Sequence, residues 1–308
     1  MAGAFTHMAI VSEAKKSFPP GKKFGDIIHA NLNFLTLGTV SPDIPYLAYL
    51  DVGVELGWAD VMHYFQTNAI VKNAMHSLAA AKNKDTNWEC QLAWLTGFVG
   101  HLVGDATIHP IIECIAGPYT NPDSHSRHAE SEMTQDVLIF KDVLNLEVAA
   151  AQYTDLIDDC RTNPSYDSVA TFWDAHANVN CPFYKKFSAQ GFITSYFNIL
   201  GKVAADGGNL LAAAFRHMGI KYIYRTYSDI TTNFPDLVKQ YYTEIPLPNG
   251  LTGSFRKDGF DYAVKNLVAV WSKIDRALFS TENIVDIVPN WNLDTGVDQS
   301  TGMKTYWS

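Results

Sequence analysis

Basic residues are scarce in this chain. Its 23 Lys and Arg face 32 Asp and Glu, a formal net charge of −9. That deficit argues against broad nucleic-acid binding through a cationic face. Cysteine is also sparse: Cys90, Cys114, Cys160 and Cys181 are scattered with no C-x-x-C pair, so Cys-rich structural zinc is not expected. Four reduced, mostly buried thiols are expected instead. No run of about 18 apolar residues occurs, so no transmembrane span is expected. The opening MAGAFTHMAIVSEAKK is a poor secretory leader, because its lysines follow the apolar run and Thr6 and His7 interrupt it. The cytoplasm is therefore expected over export. Internal repeats, low-complexity linkers and convincing strand alternation are all missing. The expectation is one all-α domain over 1–308, with 1–140 bearing the chemistry and 141–308 giving helical support and a weakly patterned tail.

What is present is a well-stocked helical core, with 47% hydrophobic residues. Helical periodicity places helices near 5–16, 24–36, 57–82, 86–109, 124–150, 165–178, 183–216, 227–242 and 259–280. In the last, Leu267, Trp271, Ile274 and Leu278 follow one face. Breakers fall between them, at Phe18-Pro19-Pro20-Gly21, Asn121-Pro122 and Ile245 to Gly250.

The stretch Trp94–Asp136 carries the chemistry. WLTGFVGHLVGDATIHP is apolar nearly all round, which suits a helix in the middle of a core. It nonetheless carries His101, Asp105 and His109 at intervals of four. One helical turn separates His101 from Asp105, so the two point the same way. A buried imidazole and carboxylate need a compensating partner, and a metal ion is one. Gly97, Gly100 and Gly104 leave room for a neighbouring helix to come close. A second helix, capped by Asp123 or Ser124, repeats the pattern with His128 and Glu132. Pro110 disfavours helical geometry at His109, which puts His109 at a fraying end and off the His101–Asp105 face.

Other histidines and acids are less marked. Asp43 lies in VSPDIPYL, where Pro42 and Pro45 stiffen the loop; it could equally be a turn-forming Asp. His63 sits among Trp58, Tyr64 and Phe65, as a ligand or as part of an aromatic core. His29 reads as core, and His76, His125, His176 and His217 lack a supporting pattern.

In order, His7, Asp43, His63, His101-x-x-x-Asp105, His109 and His128-x-x-x-Glu132 resemble the zinc-dependent phospholipase C family, to which the single-strand-specific zinc nucleases are distantly similar. The resemblance covers roughly 1–140 by motif. It implies two or three zinc ions. Asp43, His63, His101 and Asp105 would hold the first, and His109, His128 and Glu132 the second. Asp105 would bridge to a third, completed by His7 and the amino-terminal group, here assigned to Ala2 after loss of Met1. Zinc favours such ligands with one position left open. Paired ions suit in-line displacement at phosphorus.

The resemblance implies a phosphodiesterase that cleaves a phospholipid, or another phosphodiester, on the glycerol side of phosphorus. The products would be diacylglycerol and a phosphorylated head group. Asp43 and Asp105 are the candidate catalytic carboxylates, with Asp43 a candidate base. Tyr46, Trp58 and Tyr64 could wall a quaternary ammonium head group through cation–π attraction, or be ordinary core aromatics. Two alternatives stand beside this reading: a single-strand nuclease or nucleotidase using the same trinuclear site, and a non-catalytic, zinc-stabilised helical binding protein. Glu132, in place of Asp, tilts the choice toward the phospholipase.

Overall fold

The computed structural model describes residues 3–46, 57–118, 120–148, 153–181, 186–205, 225–280 and 286–307. In chain order the helices are α1 (Ala4–Lys15), α2 (Lys23–Ala30), α3 (Leu32–Val40), α4 (Gly57–Tyr64), α5 (Thr67–Ala80), α6 (Thr86–Ala116), α7 (His125–Leu144), α8 (Tyr153–Thr162), α9 (Tyr166–Asn180), α10 (Ala189–Ala205), α11 (Tyr227–Asn233) and α12 (Asp261–Phe279). Sheet is confined, among the described residues, to two-residue strands. Strands β1 (Ile245–Pro246) and β2 (Thr252–Gly253) pair antiparallel, as do β3 (Trp291–Asn292), β4 (Val297–Asp298) and β5 (Met303–Lys304) in that order. The fold is all-α, as the periodicity predicts. Among the described residues no helix is long and apolar enough to cross a membrane. All four cysteines are free, with Cys90 and Cys160 buried.

An all-round apolar helix must be surrounded, and α6 is. It packs against α1, α2, α3, α5, α7, α9 and α12. Asp85 starts it by accepting the Trp88 N–H at 3.0 Å. Gly117 ends it at φ 94°, a left-handed backbone that favours glycine. The closest approach is to α3. A methyl group on Gly97 would fall on the Leu35 carbonyl oxygen, and one on Gly38 on the Trp94 carbonyl oxygen. The two helices thus touch backbone to backbone. Trp94 Nε1 seals the crossing by donating to Ser41 Oγ at 2.9 Å. Gly100 and Gly104 make the same allowance for α1, facing the side chains of Val11 and His7.

Several expected helices have different bounds. The span 24–36 divides at Asn31, whose amide donates to the Ile27 carbonyl at 2.9 Å and so competes for the end of α2. The span 124–150 stops at Leu144, because Asn145 turns to φ 54°. The span 227–242 breaks at Phe234, the residue before Pro235. Of 183–216, helix is described over Ala189–Ala205, and residues 182–185 and 206–224 lie outside the described residues. Helix α8 was not foreseen; its many acids hide the apolar positions. In α12, Leu267, Trp271, Ile274 and Leu278 are buried as their spacing predicts.

Two corrections bear on the site. Helix α6 does not fray at His109; it runs on through Pro110 to Ala116. Proline removes the N–H that would bond the Ala106 carbonyl, and the tail packs beside that gap. Trp307 Nε1 donates to the Thr107 carbonyl at 2.7 Å. Gly296, at φ 65°, lies so near that an added Cβ would sit 2.5 Å from the Ala106 carbonyl and 2.7 Å from the Pro110 ring. The tail itself, expected to be weakly organised, folds as β3 to β5. Trp291 and Leu293 are fully buried, and Thr67 Oγ1 donates to the Trp291 carbonyl at 2.9 Å.

Gly97→Ala should destabilise the protein by about 1–3 kcal/mol, since a backbone clash cannot be relieved by a rotamer change. Urea denaturation of the variant beside the parent measures this.

Candidate metal centre

Each turn of α6 contributes one member of a polar row through the core. His101 and Asp105 are fully buried and His109 is 1% exposed. His101 Nε2 lies 3.2 Å from Asp105 Oδ2, and His109 Nε2 lies 3.2 Å from Asp105 Oδ1. Because the helix continues through Pro110, His109 keeps to the His101–Asp105 face, contrary to the reading that Pro110 displaces it.

Three other segments bring residues to this row. Helix α1 supplies His7, whose Nε2 is 3.1 Å from Asp105 Oδ1 and whose ring stacks on His101 at 4.0 Å between centroids. Gly104 makes that position possible, since its added Cβ would come 2.7 Å from His7 Nδ1. The last turn of α4 supplies His63, with Nε2 3.1 Å from Asp43 Oδ1 and 3.8 Å from Asp105 Oδ2. The turn after α3 supplies Asp43, whose Oδ1 is also 3.6 Å from His101 Nε2. The ligand atoms of His7, His101 and Asp105 lie within 4.8 Å of one another, as do those of Asp43, His63 and His101.

The outward nitrogens fix the orientation of these rings. His63 Nδ1 meets the Ala59 carbonyl at 2.7 Å, and His101 Nδ1 meets the Thr39 carbonyl at 2.9 Å. Carbonyls only accept, so each Nδ1 carries the proton and each Nε2 turns a lone pair inward. The two Nε2 atoms are 3.4 Å apart. Facing lone pairs at that distance repel unless a proton or a cation lies between them. Both nitrogens of His7 and of His109 are buried and form no hydrogen bond of acceptable geometry. Donor atoms that converge without bonding one another suit a metal ion, and imidazole with carboxylate is a zinc donor set.

Two of the acids are held ionised. Burial alone would raise Asp105, but His109, His101 and His7 outweigh it and hold the carboxyl well below its usual range. Asp43 behaves alike: burial pushes it up, and His101 and then His63 bring it below the usual value. Glu132, on α7, is raised by burial, and the charge of His109 opposes that rise. His128, one turn before it, meets the Gly117 carbonyl through Nε2 at 3.1 Å, and burial lowers it to about 3. Among the described residues, His109, His128 and Glu132 do not form a group as tight as the two above.

Ala2 lies outside the described residues. Helix α7 nonetheless controls how the chain enters the centre. Buried Asp136 accepts the Thr6 N–H at 2.8 Å and the Phe5 N–H at 3.4 Å, the first turn of α1, one residue before His7. A Cβ on Gly3 would strike the same carboxylate. Of the expected aromatic wall, Tyr46 and Tyr64 flank His63, with ring centroids 5.2 and 6.1 Å from it. Trp58 instead belongs to the core, 1% exposed with its ring edge-on to Phe187 at 5.0 Å. His29 is half-buried and His76 exposed. His176 packs on Phe172 at 4.4 Å.

Sequence reasoning missed Asp294. It comes from the tail, which the sequence assigns to packing support, and its Oδ1 lies 3.7 Å from His109 Nδ1. Burial would raise it, but His109 outweighs burial and holds it below the usual value. A lone Asp among turn residues carries no signal of its own.

A family model described as zinc dependent phospholipase C matches residues 6–186, more than half of the chain. No curated protein and no solved structure matches it.

Asp136→Ala should cost about 1.5–3 kcal/mol, the range for hydrogen bonds to a charged group, read as a lower urea midpoint. Burial lowers His176 from 6.5 to about 4. The unfolded chain therefore binds the extra proton between those values, and stability falls as pH drops from 6.5 toward 4. His176→Gln should make the loss of urea resistance between about pH 7 and 5 shallower than in the parent.

Proposed function

Because the chain belongs to the zinc dependent phospholipase C family, we propose that it hydrolyses a phospholipid at the glycerol side of phosphorus, releasing diacylglycerol and a phosphorylated head group. The observation that carries this reading is the convergence of His7, His63, His101 and His109 on the two oxygens of one buried carboxylate, Asp105.

In this reading Asp43, His63, His101 and Asp105 hold one zinc ion. His109, His128 and Glu132 hold a second, and Asp105 with His7 and the chain's start, Ala2, a third. When bound, zinc ions supply Lewis acidity and a lowered water pKa at phosphorus. The protein's own groups do the rest. Asp43 is the half-buried carboxylate of the centre, its side chain 16% exposed where that of Asp105 is 0%. Water and substrate reach Asp43 first, so it is the base, while Asp105 stays an ionised anchor. Tyr46 and Tyr64, flanking His63, offer ring faces to a cationic head group. Tyr46 is held by its hydroxyl, which donates to Asp60 at 3.2 Å.

Metal analysis should find two or three zinc ions per chain. His101→Ala and Asp105→Asn should lose both zinc and hydrolysis of phosphatidylcholine vesicles. Hydrolysis that persists after chelation would refute the zinc reading. Cleavage of single-stranded DNA in preference to phosphatidylcholine would move the assignment to a nuclease.

A further inference from the structure

We propose that Asp294 is a positioning residue of this centre: it holds the outward nitrogen of His109, so that the inward nitrogen is presented to the ion. The proposal rests on the zinc reading above and extends it to a segment beyond the family match, which ends at residue 186.

An imidazole ligand needs one bare nitrogen toward the metal and a partner on the other, which fixes its tautomer and plane. His63 and His101 find that partner in backbone carbonyls, those of Ala59 and Thr39. His109 turns Nε2 to Asp105 at 3.2 Å, and its Nδ1 faces Asp294 at 3.7 Å. That separation is within ion-pair distance. The partner here is an anion, so it orients the ring and also raises its basicity more than a neutral carbonyl does.

The turn that bears Asp294 is built for the place. Leu293, fully buried, donates its N–H to the carbonyl of His63 at 2.8 Å, which ties the turn to a second residue of the centre. Asp294 N–H donates to Asn292 Oδ1 at 3.1 Å, and Gly296 N–H to the Asn292 carbonyl at 2.9 Å. Two residues on, Gly296 packs against Ala106 and Pro110, the stretch of α6 that carries His109. Carboxylate, turn and proline gap thus meet on one side of one histidine.

The test uses the full-length chain, stripped and titrated with zinc chloride against a chelating dye. Asp294→Asn should weaken one zinc by roughly 10- to 100-fold and leave the others as in the parent. Gln299→Ala, which removes a tail contact to the Tyr64 carbonyl without touching charge, should leave all of them unchanged. Histidine nitrogen NMR of the parent should show a strongly downfield Nδ1 proton on His109, absent in Asp294→Asn. Should the parent bind zinc and Asp294→Asn bind every ion as tightly, the proposal fails alone. Should the parent bind none, the zinc reading fails with it. A crystal structure of the zinc-loaded parent decides independently of any variant's folding. Asp294 against His109 Nδ1 supports the proposal, and Asp294 turned to solvent overturns it.

Discussion

One carboxylate, buried in the middle of a helical core, governs this structure. Asp105 cannot be ionised there without positive or hydrogen-donating company, because burial in an apolar surround penalises charge heavily. Four imidazoles surround it, from α1, α4 and two turns of α6, with Nε2 atoms 3.1 to 3.8 Å from its oxygens, and in the zinc reading a cation seated among them would complete that company. The close contacts of α3 and α1 with α6 set two of those rings. Glycines 97 and 38 let α3 approach until the Thr39 carbonyl can hold His101, and Gly104 makes space for the ring of His7. The centre is therefore a demand that the packing has to meet. Shortened side chains on α6 are the means.

The legible part of this in the sequence was local. His101 and Asp105 share a face because their spacing is one helical turn, and the same rule marks His128 and Glu132. All-round apolarity placed α6 at the centre before any coordinates. The helical class followed from periodicity, and the glycines announced close approach. What escaped was non-local or compensated. Pro110 carries the same local signal as a helix end, and the residues that pack where the helix runs through it, Gly296 and Trp307, lie about 190 to 200 positions away. Asp294 and Asp136 look like any turn or helix-surface acid. Their roles depend on which backbone they meet, Thr6 N–H for Asp136 and His109 for Asp294. Trp58 misled for the converse reason: an aromatic near a ligand in sequence was turned to the core by Phe187.

Electrostatics reconciles an acidic chain with the anionic substrate class proposed for it. The net charge of −9 belongs to the whole chain, while the centre gathers imidazoles around few carboxylates. In the zinc reading, cations bound there would carry more charge than Asp43, Asp105 and Glu132 neutralise, in a region walled by apolar helices where screening by salt is weak. A phosphodiester would then be attracted to that one point.

The gap at Pro110 has a consequence for the order in which the molecule assembles. The indole of Trp307 reaches the Thr107 carbonyl across 200 residues of chain. Closing so long a loop costs entropy before any contact repays it, and contacts of high sequence separation form slowly. Helices α1 to α7 can gather early through near neighbours, but the strand segment that packs on α6 beside Pro110 must come from far along the sequence. The polar centre is thus enclosed in part by a segment distant from it in the chain.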